Sequence, residues 1–157
     1  MNQKSQQASL PKKRMAAGCL FRNSSNQILI VQPNYKPNWE IPGGVIEENE
    51  SPKTCAAREV LEELSLEVSV GRLLVVDYTS ENEEHTEELM WVFDGGVLDN
   101  TQISSIKLPA SELESFRFVD LVALELLVIS RMSRRLKQAV FALQNDQTLY
   151  LENQLPA

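Results

Sequence analysis

Apolar residues fall into short runs separated by turn-forming clusters. Residues 16–21 are an apolar run that reads as a strand. Asn23-Ser24-Ser25-Asn26 is turn chemistry, and the apolar run resumes at 28–31, so the pair predicts a hairpin. Residues 33–38 are a loop rich in Pro and Asn. A short extended piece at 39–41 is stopped by Pro42-Gly43-Gly44. Over 51–64 the pattern becomes helical, with Ser51 as the N-cap and Pro52 at the first helical position. Strand-like pieces follow at 66–70 and 72–78, then an acidic loop at 80–88 and a strand at 88–94 closed by Gly95-Gly96. A helical turn is expected at 111–115 and extended chain at 116–119. Two helical pieces fill most of 121–143, and a last strand lies at 148–151. Interleaved strands and helices without an internal repeat place the chain in the α/β or α+β class.

The 157 residues predict one domain over 15–157, preceded by a flexible polar and basic tail over 1–14 that lacks the apolar centre of a signal peptide. The formal net charge of −7 argues against a nucleic-acid polymer as partner, which would require a basic face. No apolar stretch is long enough to span a membrane; the best, 121–129, is broken by Glu125. Cys19 and Cys55 lie outside any CxxC pair and read as reduced, buried thiols, which fits a cytoplasmic protein. An acidic protein that handles phosphates needs metal ions to mask the repulsion.

The candidate chemistry sits on the 51–64 helix. Around a helical wheel Ala57, Val60, Leu61 and Leu64 fall on one side, while Glu59, Glu62 and Glu63 share an arc of about 100° on the other. Glu59 and Glu63 are four apart, where like charges repel by about 0.8 kcal/mol in water and up to about 3 kcal/mol at an effective dielectric of 20. They also lie in the last turn, at the negative end of the helix dipole. A solvated acidic face fits this poorly, because a helix selected for stability alone avoids it. A hard divalent cation such as Mg²⁺ resolves it. Arg58, four before Glu62 and beside Glu59, has the planar fork to clamp and orient a carboxylate; the plainer alternative is an ordinary helical ion pair. Glu50 is a further carboxylate within reach of Arg58 or a metal. Glycines at 43 and 44 let backbone approach a ligand closely.

Together Gly44, Glu50, Arg58, Glu59, Val60, Glu62, Glu63, Ser65 and Leu66 match the pattern G-x5-E-x7-R-E-U-x-E-E-x-G-U, with U apolar. The chain therefore resembles the Nudix hydrolase family, with its box over 44–66. A chance match at six fixed positions has a probability of about 10⁻⁸ at one start point and about 10⁻⁶ over the whole chain. One position departs: Ser65 stands where the family has Gly, at an expected cost of about 1 kcal/mol if the helix ends in a left-handed cap. The resemblance implies an α/β/α sandwich around a mixed, curved sheet. It further implies Mg²⁺, replaceable by Mn²⁺, held by Glu59, Glu62, Glu63 and the Gly44 carbonyl, with Arg58 orienting the glutamates. The reaction implied is hydrolysis of a diphosphate bond. The base is Glu59 in some members and lies outside the box in others; Glu112 and Glu114 are the candidates here, with exposed surface acids as the plainer reading.

Substrate choice is less legible. A short chain without added modules looks most like the mutator-type nucleoside-triphosphate pyrophosphatases, which implies a (d)NTP or an oxidised nucleotide. ADP-ribose or a nucleotide sugar is the alternative, and a non-catalytic nucleotide-binding regulator is the alternative of another class. Trp39, Tyr78 and Trp91 (with Phe93) are candidate stacking surfaces for a base, although aromatics on an apolar strand are more often core. Arg131, Arg134, Arg135 and Lys137 form a basic cluster that reads as a solvated helix face or a phosphate contact. His85 reads as surface. The expected partner is a small-molecule nucleotide, for a monomer or homodimer.

Overall fold

A computed structural model describes residues 3–157. Twelve elements follow a six-residue helix α1 (Gln3–Ala8). They are β1 (Arg14–Arg22), β2 (Ile28–Pro33), β3 (Gly43–Val45), α2 (Pro52–Leu64), β4 (Leu73–Thr79), β5 (Glu88–Val97), α3 (Asn100–Ser105), β6 (Leu113–Val119), α4 (Leu121–Leu127), α5 (Ser130–Gln144), β7 (Leu149–Glu152) and β8 (Leu155–Pro156). β1 begins at Arg14, the last residue of the expected tail.

The strands form one mixed sheet in the order β6-β2-β1-β5-β4-β7-β8. β1 pairs parallel with β5 and β4 parallel with β7; the other pairs are antiparallel. The other edge of β1 is shared. Ala16, Ala17 and Gly18 pair with β3, and Arg22 pairs with Ile28 of β2. The loop leading to α2 is thereby stitched to the central strand.

Both faces of the sheet are covered, which is why β1 and β2 read as continuous apolar runs. Alternate residues Ala17, Cys19, Phe21, Leu29 and Val31 pack with Cys55, Ala56, Val60 and Leu64 of α2. Their neighbours Leu20, Ile28 and Ile30 pack with Leu124 of α4 and with Leu136, Ala139 and Ala142 of α5. The result is an α+β sandwich, as the sequence led us to expect. Among the described residues no helix is long and apolar enough to cross a membrane.

Several local expectations are corrected. The glycines at 43 and 44 do not stop a strand but begin β3, because a Cβ on Gly43 would overlap the Ala17 carbonyl oxygen and only glycine permits this approach. Gly95-Gly96 does not close β5 either. The strand runs through a register shift opposite Leu20 and Phe21, with the Phe21 ring against Gly95 and Gly96 at φ +84°. Residues 66–70 form no strand; Leu66 and Val70 are buried, so the alternation reflects burial without a ladder. Residues 113–115 of the expected helical turn belong to β6, and α3, with its Asp99–Gln102 capping box, was not anticipated. Leu61, placed on the packing side of the wheel, is 48% exposed, because α2 packs instead through Cys55 and Ala56.

α2 starts as expected, with the Thr54 N–H donating to the Ser51 hydroxyl at 3.2 Å. It ends on Ser65 in the left-handed region, φ 56° and ψ 32°, and the Ser65 N–H donates to the Leu61 carbonyl. The hydroxyl donates to the Lys107 carbonyl at 3.1 Å. Ser65→Gly should therefore raise stability by about 0.5 kcal/mol, the difference between about 1 kcal/mol of relieved strain and about 0.5 kcal/mol of lost hydrogen bond. Urea unfolding measures it; a lowered midpoint would mean that the Lys107 bond outweighs the strain.

Candidate active site

Arg58 organises the box. Its Nε and Nη2 donate to the two oxygens of Glu50 at 2.8 and 3.0 Å. Nη1 donates to Glu59 Oε1 at 2.7 Å and to Glu62 Oε2 at 3.1 Å, and Nη2 reaches the Val45 carbonyl at 3.2 Å. This is a bidentate clamp on Glu50 with two further carboxylates on the same guanidinium, well beyond an i,i+4 surface pair. The Arg58 hydrogen bond, helped by the Glu47 N–H, holds the Glu50 carboxyl down at about 2. Glu50 in turn raises the Arg58 pKa, so the clamp stays charged.

The three box acids do not face one point. Glu62 is 54% exposed and tied to Arg58, whereas Glu59 is 15% exposed and turned against the β3 loop. A Cβ on Gly44 would overlap the Glu59 carboxylate, so the glycine makes room for it. Glu63 Oε2 accepts from the Gly43 N–H at 3.0 Å. The Cys55 thiol, kept protonated by burial that pushes it up to about 12, donates weakly to the Gly44 and Val45 carbonyls at 3.6 and 3.5 Å. Both ends of β3 are thus held by α2.

Burial pushes the Glu63 carboxyl up to about 8; the Gly43 N–H opposes this, and the charges of Glu59, Glu40 and Glu112 add to it. Burial also raises Glu59, against the pull of Arg58, with Glu62 and Glu112 adding. Glu112 is therefore electrostatically coupled to both. It sits in the turn before β6, where its carbonyl accepts from the Asn34 N–H at 2.9 Å. Glu114 is exposed on β6 and is not among the principal causes for either carboxyl.

Among the described residues no three His, Cys, Asp or Glu side chains form a ready-made metal cage. The donor set nonetheless suits a hard cation. Glu59 Oε2 and Glu63 Oε1 have no hydrogen-bond donor among the described residues and repel each other, and hard cations prefer such carboxylate oxygens.

A cleft of about 260 Å³ opens from Gly43, Gly44 and Val45. Its walls carry Arg14, Lys36 and Arg131, the carboxylates of Glu40 and Glu88, and the apolar side chains of Ile41, Met90 and Met132, with Tyr35 at the rim. Lys36 pairs with Glu40 at 2.6 Å and Arg14 with Glu88 at 2.6 Å. Besides the glycines, Arg131 and Arg135, which also lines the cleft, were singled out from the sequence. The others come from β1, the 35–41 segment, β5 and α5, which no local pattern joins.

The expected aromatic surfaces are elsewhere. Trp39 is 5% exposed beneath the Arg117 guanidinium, 4.1 Å from the ring centroid, although it borders a 240 Å³ hollow beside the cleft. Tyr78 donates its hydroxyl to Glu87 at 2.9 Å, and Trp91 packs on the α2 side of the sheet. Neither lines the cleft. The basic cluster splits. Arg135, read as a solvated or phosphate-facing residue, is 2% exposed and bound to buried Asp77 at 2.7 Å. Lys137 pairs with Glu125, and Arg134 donates to Gln154 at 2.8 Å. Cys19 and Cys55 are buried free thiols.

Known proteins share part of this sequence and this fold. A 75-residue stretch, 47% of the chain, is 36% identical to diphosphoinositol polyphosphate phosphohydrolase 2 of Rattus norvegicus, of which it spans 41%. Among solved structures, a MutT protein from Methanosarcina mazei Go1 is similar at TM-score 0.68 and 22% identity, over 88% of this chain and 99% of that one. A UDP-X diphosphatase is similar at TM-score 0.73 and 18% identity, over 96% of this chain and 75% of that one. These two establish a common fold. A family model described as NUDIX domain matches residues 12–140, and the chain belongs to that family.

Proposed function

We propose that the chain hydrolyses a diphosphate bond in a small nucleoside-diphosphate-like substrate with the help of Mg²⁺. The observation that carries this reading is the pair Glu59 and Glu63, anchored by Arg58 and by the Gly43 N–H, against the β3 glycines that line a cleft whose walls carry Arg14, Lys36 and Arg131. Glu59, Glu63 and the Gly44 carbonyl would hold the cation, with Glu62 joining by leaving its exposed contact with Arg58. Bound there, the cation supplies charge neutralisation on the diphosphate oxygens and an electrophilic phosphorus. Arg58 fixes the direction of Glu59, and Gly44 leaves space for it. A carboxylate whose pKa is raised towards neutrality takes a proton from water more readily than an ordinary one. Glu59 serves in that role, and Glu112 is the candidate from outside the box.

The cleft pairs an apolar side with cations, which suits a flat base joined to phosphates. A (d)NTP or oxidised nucleotide is our first substrate reading, and ADP-ribose or a nucleotide sugar the next. The name of the rat relative favours a further one, a diphosphoinositol polyphosphate. The test is a panel of 8-oxo-dGTP, ordinary dNTPs, ADP-ribose, nucleotide sugars and a diphosphoinositol polyphosphate, with release of phosphate or pyrophosphate measured. Turnover should fall at least about 10²-fold when EDTA removes the metal. Tight binding of nucleotide without turnover across the panel would instead mark a non-catalytic regulator.

A further inference from the structure

A second cleft, about 640 Å³, lies beyond the first and shares Ile129 and Arg131 with it. It does not touch the box loop. It runs between the 80–87 loop, the start of α5 and the turn joining β7 to β8.

The polar groups of this cleft are biased towards donors. The Asn153 side-chain oxygen is used by the Ser80 N–H and hydroxyl, both at 3.0 Å. That of Asn82 is used by the N–H groups of Glu84 and His85, at 2.9 and 3.1 Å. Each amide keeps its NH₂ as a donor without an acceptor among the described residues. Arg134 donates to Gln154 through one nitrogen only, and Arg131 has no ion pair or hydrogen bond among the described residues. Arg131 lines both clefts and so stands at their junction. One acceptor-only group, Glu84, opposes this bias. Two guanidinium groups and two amide NH₂ groups outnumber it, and a ligand rich in acceptors and negative charge satisfies them.

We infer that this second cleft is a subsite for the distal part of the substrate, a hydroxyl-rich group carrying its own phosphate, gripped by Arg131 and Arg134. This rests on the proposed diphosphate hydrolysis and, of the substrates named there, favours the diphosphoinositol polyphosphate over the nucleotides: the diphosphate would lie at the box, with the chain of the substrate passing Arg131. A substrate ending at a nucleoside triphosphate would leave the subsite empty.

The test uses the full chain without metal and measures binding, so it does not depend on turnover. The probes are fructose 1,6-bisphosphate and ribose 5-phosphate, with unphosphorylated ribose as control, followed by amide chemical-shift titration. We expect saturable shifts at Ser80, His85, Ser130 and Asn153 for the phosphorylated probes and none for ribose. Arg134→Gln and Arg131→Gln should each weaken the bisphosphate about tenfold. Lys137→Gln, on the same helix but paired with Glu125, should leave it unchanged. Thermal melts establish that each variant is folded. Shifts confined to other surfaces, equal affinity in Arg134→Gln, or an equal loss in Lys137→Gln would each overturn the subsite. Hydrolysis in the panel with no probe binding here would retain the proposed activity and reject this extension of it.

Discussion

Glu63→Gln should lower kcat by about 10²–10⁴-fold while leaving the chain at least as stable as before. The two effects have one cause. Glu63 is a half-buried carboxylate with no cationic partner among the described residues, held by a single backbone N–H. Gln keeps an oxygen for that bond and removes the charge, so the folded state loses a desolvation cost. The loss of the charge also removes what would attract the cation. Glu59→Gln should lower kcat over the same range, but it takes an ion pair from Arg58, so its stability should not rise.

The linkage has a definite sign. The folded Glu63 carboxyl takes its proton at about 8, against 4.5 for a free glutamate, so between these values the folded metal-free chain binds more protons than the unfolded one. Its stability therefore falls as the pH rises through that window. In Glu63→Gln the fall should be shallower, and Mg²⁺ should flatten it in the parent chain. Urea midpoints from pH 4.5 to 8, with and without Mg²⁺, measure this. Parallel profiles for parent and variant, or full activity in either glutamine variant, would reject the assignment.

The largest stability effect is expected away from the box. Arg135→Ala should cost about 3–5 kcal/mol, because it leaves Asp77 charged and fully buried. The Asp77 oxygens also accept from the Gln154 N–H and Nε2, and the Arg135 Nη2 reaches Thr79 at 3.2 Å and Glu88 at 3.6 Å. This buried network ties α5 to β4, β5 and the turn after β7. Arg135→Met combined with Asp77→Leu should recover part of the loss, since replacing both partners removes both desolvation costs but leaves the Gln154 N–H and Nε2 without the Asp77 oxygens. Urea unfolding of the two variants decides it; a single-variant loss below about 1 kcal/mol would show that water or a rearranged partner compensates. Arg135 and Glu88 also line the first cleft, so the single variant should raise KM for the substrate as well.

Much of this was legible in the chain itself. Residues 51–64 announced a helix through Ser51, Pro52 and a 3.6-residue period, and the structure begins and ends α2 there. The acids at 59, 62 and 63 followed from fixed spacing on one helix, where geometry is local. The apolar runs at 16–21 and 28–31 announced buried strands. The glycines misled because their meaning depends on what approaches them. Gly44 makes room for a side chain fifteen residues away, and Gly95 for the ring of Phe21.

Local pattern was enough for the α+β class, the loop–helix box, the reach of Arg58 and the family match, because each is written in residue spacing along the chain. Packing, not pattern, makes Arg135 buried and Arg131 partly exposed, although both lie on α5. Burial there is set by Asp77 on a strand 58 residues earlier. Packing also builds the cleft from β1, the 35–41 segment, β3, β5 and α5. Such a surface exists only once the sheet has placed β5 beside β1, and periodicity along the chain carries no information about that neighbour.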